Sequence, residues 1–322
     1  MAAPVEAAVR DDVTSSSFAR DVIAGLTARP KRLPPKYFYD EIGARLFEQI
    51  TALPEYYLTR CEIEILRGRA PDIARFFPLN SALVEFGSGS SKKVRMLLAS
   101  APTIAAYVPV DISSEMLIQE AHELRHDYPR LAVLPVEADF TKPFALPAAA
   151  AGMAHTGFFP GSTIGNFEPH EACAFLRHAG RMLGRGAALI IGVDLVKEPS
   201  ILHAAYNDEA GLTARFNLNL LARINRELGA DFDLHGFEHR AFYNSERHRI
   251  EMHLVSKRRQ KVSVCGRAIE FRPGETIHTE NSYKYTLEYF TALAREAGWT
   301  PLAVWTDAGT NFSIHALAFE NR

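Results

Sequence analysis

Two glycines and two charged residues mark the first place in the chain where chemistry could occur. Gly87 and Gly89 stand directly after the apolar run 82–86 and before a helical pattern, where the backbone must turn sharply and can approach a ligand closely. Glu85, two residues before the turn, can accept a hydrogen bond from an ammonium group, and Lys92 at the helix start can meet a carboxylate. Together these side chains suit an amino-acid zwitterion.

Further acids follow the next two apolar runs. Asp111 ends the second run, and a carboxylate at that place can accept hydrogen bonds from both hydroxyls of a ribose. Asp139 follows the third run and could accept from an adenine amino group, while Phe140 could pack on the base. Lys92 occupies the position at which a dinucleotide fingerprint needs its third glycine, so NAD is a less favoured ligand. The alternative is that the glycines merely turn the chain and the acids are solvated strand ends.

A polar loop, residues 160–167, follows the fourth apolar run. Asn166 in this loop offers one acceptor and two donors, which suits simultaneous contact with an α-amino group and a carboxylate. The alternative is that Asn166 caps the helix predicted to begin near Pro169.

Several tyrosines and one polar stretch outside the sheet pattern are further candidates. Tyr39, Tyr56 and Tyr206 each lie in such segments, although any one alone would more often belong to a core. The stretch 277–285 crowds side-chain donors and acceptors behind the turn at Gly274, and a surface loop could look the same.

The elements that must position these residues follow an alternating pattern. Apolar runs of five to eight residues alternate with amphipathic helical segments, which predicts a parallel sheet with helices on both faces. Ligands of such open sheets bind outside the carboxyl ends of the strands, where the acids stand. The predicted strands are 82–86, 104–110, 131–136, 157–164 and 187–193, and the predicted helices between them lie near 92–100, 113–126 and 168–184.

A second lobe is predicted from the segments that break this alternation. Residues 18–57 contain two helical stretches separated by prolines, and 202–228 is a long helical region. Hairpin-like alternation follows it, and helix 286–297 with two last runs returns to the first sheet as an antiparallel pair. We therefore predict an α/β fold in which residues 18–59 plus 198–286 form a smaller α+β substrate lobe and residues 60–197 plus 287–322 form the cofactor-binding domain. Residues 1 to about 17 are expected to be a frayed terminus.

Composition narrows the class of ligand. The 322 residues carry a formal net charge of −2, so there is no basic footprint for a nucleic acid or an anionic membrane. No run of about eighteen apolar residues and no secretory signal is present, so neither a membrane span nor export is expected. The cysteines at 61, 173 and 265 are odd in number and far apart, which favours the cytoplasm and offers no metal-ligand spacing. We expect a monomer that acts on a small molecule without a metal.

The first group of residues resembles the class I S-adenosylmethionine-dependent methyltransferases. Their first motif is similar to Glu85-Phe-Gly-Ser-Gly-Ser-Ser91, with Ser91 where that motif often has a third glycine. The resemblance implies a Rossmann-like sheet with S-adenosyl-L-methionine as the cofactor. The residues implied to bind it are Glu85, Gly87, Gly89, Lys92, Asp111, Asp139 and Phe140.

From about Leu33 to the C-terminus the chain also resembles the histidine-specific methyltransferases of ergothioneine biosynthesis. The matching segments are 33–40, 53–57, 161–166, 192–197, 230–234, 249–252 and 279–282. The resemblance implies that Tyr56, Asn166 and Tyr206 hold the amine and carboxylate of the substrate. It also implies that Glu280 and Ser282 bind its imidazole and that Met252 lines the side-chain pocket.

The implied activity is trimethylation of the α-amino group of L-histidine to its betaine. Tyr39, Tyr56, Asn166 and Tyr206 form the implied catalytic set. Two alternatives remain open, methylation of a different amine by a member of the same family and a non-catalytic nucleotide-binding module. Glu280 favours histidine, because an acid can meet an imidazole N–H whereas an indole would not need a buried acid.

Overall fold

The computed structural model describes residues 16–89 and 91–320 of the chain. The predicted frayed terminus lies outside these residues except at its end, where Ser16 caps a helix that begins at Ser17. Ser90 of the glycine-rich motif also lies outside them.

The described residues form the following elements. The helices are α1 (Ser17–Thr27), α2 (Glu41–Thr51), α3 (Tyr57–Ala74), α4 (Lys92–Ser100), α5 (Ser114–Asp127), α6 (Pro169–Leu183), α7 (Pro199–Tyr206), α8 (Leu212–Leu228) and α9 (Leu287–Glu296). The strands are β1 (Lys31–Arg32), β2 (Ala82–Phe86), β3 (Ala106–Asp111), β4 (Ala132–Val133), β5 (Val136–Glu137), β6 (His155–Phe159), β7 (Ala188–Asp194), β8 (Phe237–Asn244), β9 (Arg249–Ser256), β10 (Gln260–Val264), β11 (Arg267–Phe271), β12 (Thr276–Tyr283), β13 (Trp299–Thr306) and β14 (Phe312–Phe319). Short 3₁₀ turns occupy Pro35–Phe38, Thr163–Asn166 and Leu234–Gly236.

The chain divides into two units. The first unit contains the described residues up to Tyr56 together with Glu198–Asn281. The second unit contains Tyr57–Lys197 together with the described residues from Ser282 onward.

The second unit is built on one sheet with the strand order β13-β14-β7-β6-β2-β3-β4, and β5 also pairs with β3. The strands from β2 to β7 pair in parallel, whereas β14 runs antiparallel to both β7 and β13. Every residue of β2 and of β7 is buried, as expected for strands covered by helices on both faces. The predicted α/β class is confirmed, and the order with its final antiparallel pair is that of a class I methyltransferase sheet.

Two predicted strands of this sheet differ from the structure. The run 157–164 was expected to be extended throughout, but β6 ends at Phe159 because Pro160 is followed by Gly161 and Ser162, both with positive φ (77° and 58°). The run 131–136 is interrupted and forms the two short strands β4 and β5.

Aromatic rings fill the core between this sheet and α6. The rings of Phe159 and Phe175 have centroids 4.6 Å apart, and Phe86 meets Phe175 at 5.5 Å in an edge-to-face arrangement. Helix α6 begins with Pro169 behind a capping box formed by Glu168 and Glu171. This packing fixes the turn between β6 and α6.

The first unit contains a sheet of order β1-β12-β9-β8 and the hairpin β10–β11. β8 and β9 pair antiparallel over eight residues, from Phe237↔Ser256 to Asn244↔Arg249. Helix α8 buries Phe216, Leu220 and Ile224. Strand β12 begins in this unit and ends in the second one.

The irregular segments differ from the sequence predictions in two places, and one alternative is wrong. The helix expected over 202–228 is two helices, because Gly211 has a φ of 68° and Asp208 accepts from the N–H groups of Leu212 and Thr213 at the start of α8. Within the hairpin-like alternation predicted after this region, residues 261–271 form parts of two strands, because the chain turns at Cys265 and Gly266, which both have positive φ. The stretch 277–285, for which a surface loop was an alternative, lies mostly in β12.

Within residues 16–89 and 91–320, no helix is long and apolar enough to cross a membrane.

Candidate active site

Glu85 lies near the carboxyl end of β2, and its side chain is buried. The hydroxyl of Tyr107 donates to its carboxylate, and the Ser88 hydroxyl lies 3.0 Å from the same tyrosine oxygen. Burial raises the pKa of Glu85 to about 8, against the opposing effects of the Tyr107 hydrogen bond and the charge of Lys93. An ammonium group bound beside this carboxylate would supply the charge that it needs to ionise. The site therefore fits the amino group of the implied cofactor.

The glycine turn after β2 approaches the ring of Phe140. Gly87 has a φ of 75°, and its N–H donates to the carbonyl of Val110 at 2.9 Å. A Cβ at Gly87 would lie 3.4 Å from the Phe140 ring, whereas a Cβ at Gly89 would meet nothing within 4 Å. The turn therefore needs glycine at position 87 for its backbone, and Gly89 leaves open space beside the chain.

Asp111 is the last residue of β3 and is half-buried. Burial raises its pKa to about 6, although the backbone N–H groups of Ser113 and Ile112 oppose the shift. The Ser113 N–H donates to Oδ1 at 2.9 Å. The neighbouring strand places Glu137 opposite Asp111, so acids from two adjacent strands meet at the same edge of the sheet.

Asp139 follows β5 and is held by its own turn. Its Oδ1 accepts from the Thr141 N–H at 3.1 Å and from the Thr141 hydroxyl, and the Lys142 ammonium lies 3.9 Å from Oδ2. This Asx turn fixes the direction of the carboxylate just before Phe140.

Lys92 is the first residue of α4 and is exposed, whereas its neighbour Lys93 is half-buried. The Lys93 ammonium is 2.5 Å from Oε2 of Glu62, an acid of α3 whose side chain is fully buried. Both carboxylate oxygens of Glu62 also lie 3.0 Å from the Gly161 nitrogen, which donates to them. Glu62 thus ties α3 to α4 and to the loop after β6.

The sequence reasoning missed Glu62, although a signal was present. Glu62 stands among the buried residues Leu58, Cys61, Ile65 and Leu66 of α3, so it is an acid at a core position. Such an acid is uncommon unless it has a charged or hydrogen-bonding partner.

The loop that carries Asn166 is anchored to the end of β12. A Cβ at Gly165 would lie 2.8 Å from the carbonyl oxygen of Tyr283, so the 3₁₀ turn packs directly on this strand. The hydroxyl of Tyr283 donates to Glu168 at 2.6 Å. Glu168, rather than Asn166, is the N-cap of α6, so the alternative role of Asn166 as a helix cap is wrong.

A buried charged cluster lies at the carboxyl end of β7. Asp194 accepts from the Tyr57 hydroxyl at 2.7 Å, and the ammonium groups of Lys197 and Lys284 lie 2.6 and 2.7 Å from its oxygens. Burial disfavours the charge, but the two lysines outweigh it and hold the pKa of Asp194 below its usual value. Burial lowers the pKa of Lys197 to about 8.

This cluster contacts two segments that contain predicted substrate residues. Lys284 donates to the hydroxyl of Ser282 at 2.7 Å, and both side chains are buried. The backbone N–H of Asp194 donates to the Ser162 hydroxyl at 2.9 Å, in the loop that ends at Asn166. Sequence reasoning matched Asp194 as part of the segment 192–197 but gave it no role.

Two of the candidate tyrosines of the first unit, Tyr39 and Tyr56, share an aromatic cluster. Phe47 meets Tyr39 at 5.5 Å and Tyr56 at 6.1 Å between ring centroids, both edge to face. Tyr206 is the last residue of α7 and is buried, and its carbonyl lies 2.9 Å from Nε2 of His239. The structure thus brings Tyr39 and Tyr56 to the same phenylalanine ring.

Met252 and Glu280 lie on neighbouring strands of the first unit. Met252 on β9 is buried, and its carbonyl accepts from the Thr279 hydroxyl at 3.0 Å. Glu280, the next residue of β12, is half-buried. The predicted substrate residues are therefore divided between the units, with Asn166 and Ser282 in the second and Tyr39, Tyr56, Tyr206, Met252 and Glu280 in the first.

Three other residues of the first unit have the chemistry of metal ligands. Ligand atoms of Glu251, His253 and His278 lie within 4.8 Å of one another. However, the two imidazole rings stack at 4.6 Å with an interplanar angle of 13°, so their lone pairs lie in two nearly parallel, separated planes and are poorly placed to converge on one ion. Arg249 donates to Glu251 at 2.9 Å, one of several bonds that hold the pKa of Glu251 at about 2 against burial. This geometry suits a charged hydrogen-bond network.

The chain matches a known family over almost its whole length. A family model described as histidine-specific, S-adenosylmethionine-dependent methyltransferase matches residues 18–319. The chain is 42% identical to a histidine N-alpha-methyltransferase of Mycolicibacterium smegmatis over 94% of this chain and 95% of that protein. It is 31% identical to ergothioneine biosynthesis protein 1 of Neurospora crassa over 98% of this chain and 35% of that protein. A 4-dimethylallyltryptophan N-methyltransferase of Claviceps purpurea is 26% identical over 96% of this chain and 97% of that protein.

Proposed function

Because the chain belongs to the S-adenosylmethionine-dependent, histidine-specific methyltransferase family, we propose that it methylates the α-amino group of L-histidine. Three transfers give the Nα-trimethyl betaine, hercynine, which is the first product of ergothioneine biosynthesis. The observation that carries the proposal is the match at 42% identity over 94% of the chain. The proposed substrate residues Glu280 and Ser282 add a chemical reason, since they offer an acceptor and a hydroxyl to an imidazole ring.

The cofactor side of the reaction is assigned to the strand ends of the second unit. S-adenosylmethionine supplies a methyl group that is already electrophilic because it is bound to a sulfonium. Glu85 would accept from the ammonium group, and Asp111 would accept from the ribose hydroxyls. The raised pKa of Asp111, about 6, still leaves most of this carboxylate ionised at pH 7.

The remaining cofactor contacts are assigned to the loops that follow. Asp139 would accept from the adenine amino group while Phe140 packs on the base, and Lys92 would meet the carboxylate. The backbone at Gly87 and Gly89 comes close to the ligand.

The substrate residues have to orient a neutral amine and exclude water. Orientation of the attacking nitrogen at about 3 Å from the methyl carbon lowers the barrier by several kcal/mol. We assign this role to Tyr56, Asn166 and Tyr206, which offer hydroxyl and amide groups to the amine and the carboxylate. The amine proton is left to water, or to Tyr39 as the candidate base.

Methylation of a different amine is the competing function. The Claviceps relative, which is 26% identical over 96% of this chain, is named for a different substrate, 4-dimethylallyltryptophan. We infer that Glu280 favours histidine, because its half-buried carboxylate can accept a hydrogen bond from an imidazole N–H in the plane of the ring.

A substrate screen by mass spectrometry tests the proposal. The protein is incubated with S-adenosylmethionine and an equimolar mixture of amino acids, and mass gains of one to three methyl groups are sought. We expect all three gains on histidine. Methylation of another amino acid with histidine ignored would contradict the substrate, and cofactor binding without any transfer would indicate a nucleotide-binding module.

We also propose a cytoplasmic monomer without a nucleic-acid partner. The formal net charge of −2 gives no excess of basic residues that would bind a nucleic acid. The cysteines are free thiols, as is usual in the cytoplasm, and they are Cys61, Cys173 and Cys265. Light scattering on the purified protein measures the mass of the assembly, and a value near twice 35.8 kDa would contradict the monomer.

A further inference from the structure

The buried cluster at the end of β7 has a chemistry that the proposed function does not use. Asp194, Lys197 and Lys284 are all buried, and the two ammonium groups lie 2.6 and 2.7 Å from one carboxylate. One of these ammonium groups is enough to neutralise Asp194, so the second lysine can also serve another contact.

Lys284 has such a second contact, with the hydroxyl of Ser282 at 2.7 Å. An ammonium group has three donors and no acceptor, so in this bond the Ser282 oxygen is the acceptor. The proton of the Ser282 hydroxyl is consequently directed away from Lys284. The hydroxyl is thereby set up as a donor.

We propose that Lys284 is a positioning residue that fixes the Ser282 hydroxyl as a hydrogen-bond donor to the unprotonated ring nitrogen of the substrate histidine. This inference rests on the proposed function. A neutral imidazole carries one N–H and one bare nitrogen, and Glu280 as acceptor with Ser282 as donor would match both. A fixed donor also disfavours binding of the protonated imidazolium form of histidine. Both ring nitrogens of an imidazolium carry a hydrogen, so its second N–H would face the hydrogen of the Ser282 hydroxyl next to the Lys284 ammonium.

Asp194 is the anchor that holds Lys284 in place. Its carboxylate bonds Lys284, while its backbone N–H bonds Ser162 at 2.9 Å in the loop that ends at Asn166. One residue of β7 thus connects both segments of the second unit that contain proposed substrate residues.

Lys197 provides a matched control within the same cluster. Its ammonium bonds the same carboxylate, but its hydrogen bonds otherwise go to the Tyr57 hydroxyl at 2.8 Å and to the Leu195 carbonyl. Lys284→Met and Lys197→Met each remove one of the two ammonium groups that contact Asp194. In each variant Asp194 stays paired with the other lysine, so both are expected to fold. Only the first removes a contact with Ser282.

The experiment measures KM for L-histidine, kcat and the Kd of S-adenosylhomocysteine for the two variants, for Ser282→Ala and for the double variant Ser282→Ala/Lys284→Met. We expect Lys284→Met to raise KM roughly ten-fold, the scale of one hydrogen bond, with little change in kcat or in the Kd. Lys197→Met should leave KM within roughly two-fold. In the Ser282→Ala background, Lys284→Met should have no further effect, because the hydroxyl that it positions is gone.

Equal increases in KM for the two lysine variants would overturn the proposal, since they would indicate a general role of the cluster in stability. Full additivity of Ser282→Ala and Lys284→Met would overturn it as well. If Lys284→Met does not fold, Lys284→Leu, which also lacks a donor, replaces it under the same criteria. A wild-type protein that does not methylate histidine would instead contradict the proposed function, which the same assay detects first.

Discussion

Replacement of Asp111 by asparagine removes one carboxylate from the proposed ribose site and keeps the size of the side chain. At pH 7.5 nearly all of a group with a pKa of about 6 is ionised, so the wild-type protein has its full acceptor strength. Loss of hydrogen bonds to a charged group costs roughly 1–3 kcal/mol. We therefore expect the Asp111→Asn variant to bind S-adenosylhomocysteine about five-fold to 150-fold more weakly at this pH.

The raised pKa of Asp111 gives this prediction a second part. A carboxylate whose pKa is raised to about 6 is ionised above that pH and becomes protonated as the pH falls through it. At pH 5 only about one tenth of Asp111 is ionised, so up to about 1.4 kcal/mol of the wild-type advantage should be lost. The ratio of the two dissociation constants should accordingly fall between pH 7.5 and pH 5, by about five-fold from a starting value near ten and by about ten-fold from a starting value near a hundred.

Calorimetric titration of both proteins at pH 5, 6 and 7.5 measures this ratio. Taking the ratio at each pH cancels the titration of the ligand and of other groups such as Glu85. Asp127→Asn is a control, because Asp127 is an exposed acid of α5 paired with Arg95, and its ratio should stay near one. A ratio for Asp111→Asn that is the same at all three values of pH, or near one at pH 7.5, would refute the reasoning.

Three further predictions concern the substrate residues and the sheet. Tyr206→Phe should raise KM for histidine far more than it changes the Kd of the cofactor, and an equal loss of both would show that Tyr206 is structural. Glu280→Ala should lose roughly 1.5–3 kcal/mol of discrimination for histidine over other amino acids, measured as a ratio of kcat/KM, and unchanged selectivity would contradict the imidazole pocket. Gly192→Ala should destabilise the protein by roughly 1–3 kcal/mol in urea unfolding, because the new Cβ would lie 2.3 Å from Oε1 of Glu62. Gly68→Ala, which meets nothing within 4 Å on α3, is its control and should be neutral or slightly stabilising.

The strands of the second unit could be predicted because they are buried on both faces. A strand such as β7, buried at all seven residues, leaves a continuous apolar run in the sequence. The same signal misled at 157–164, where the apolar run continues past the end of β6. Pro160 and Gly161 determine that end, and their backbone preferences outweigh the hydrophobic pattern.

The buried charged cluster could not be predicted from local sequence. Asp194 and Lys197 are three residues apart, which looks like an ordinary exposed pair after a strand. Lys284 is ninety residues further along and reaches Asp194 because β12 and β7 end near each other within the second unit, as the parallel bridge between Leu195 and Tyr285 records. The partner of a buried charge is set by such tertiary pairing, so sequence patterns of one element do not contain it.

Two buried acids of the second unit differ in a way that supports Glu85 as a proposed cofactor residue. Asp194 is surrounded by two lysines, and its pKa is lowered even though burial opposes the charge. Glu85 is as deeply buried, but its direct partner is the neutral hydroxyl of Tyr107, and burial raises its pKa to about 8. A buried acid that the protein's own lysines keep ionised needs no further cation. A buried acid whose pKa is raised is suited to bind a cationic ligand. In the sequence Glu85 stands beside the glycine turn at Gly87, and we propose that both features contact the bound cofactor.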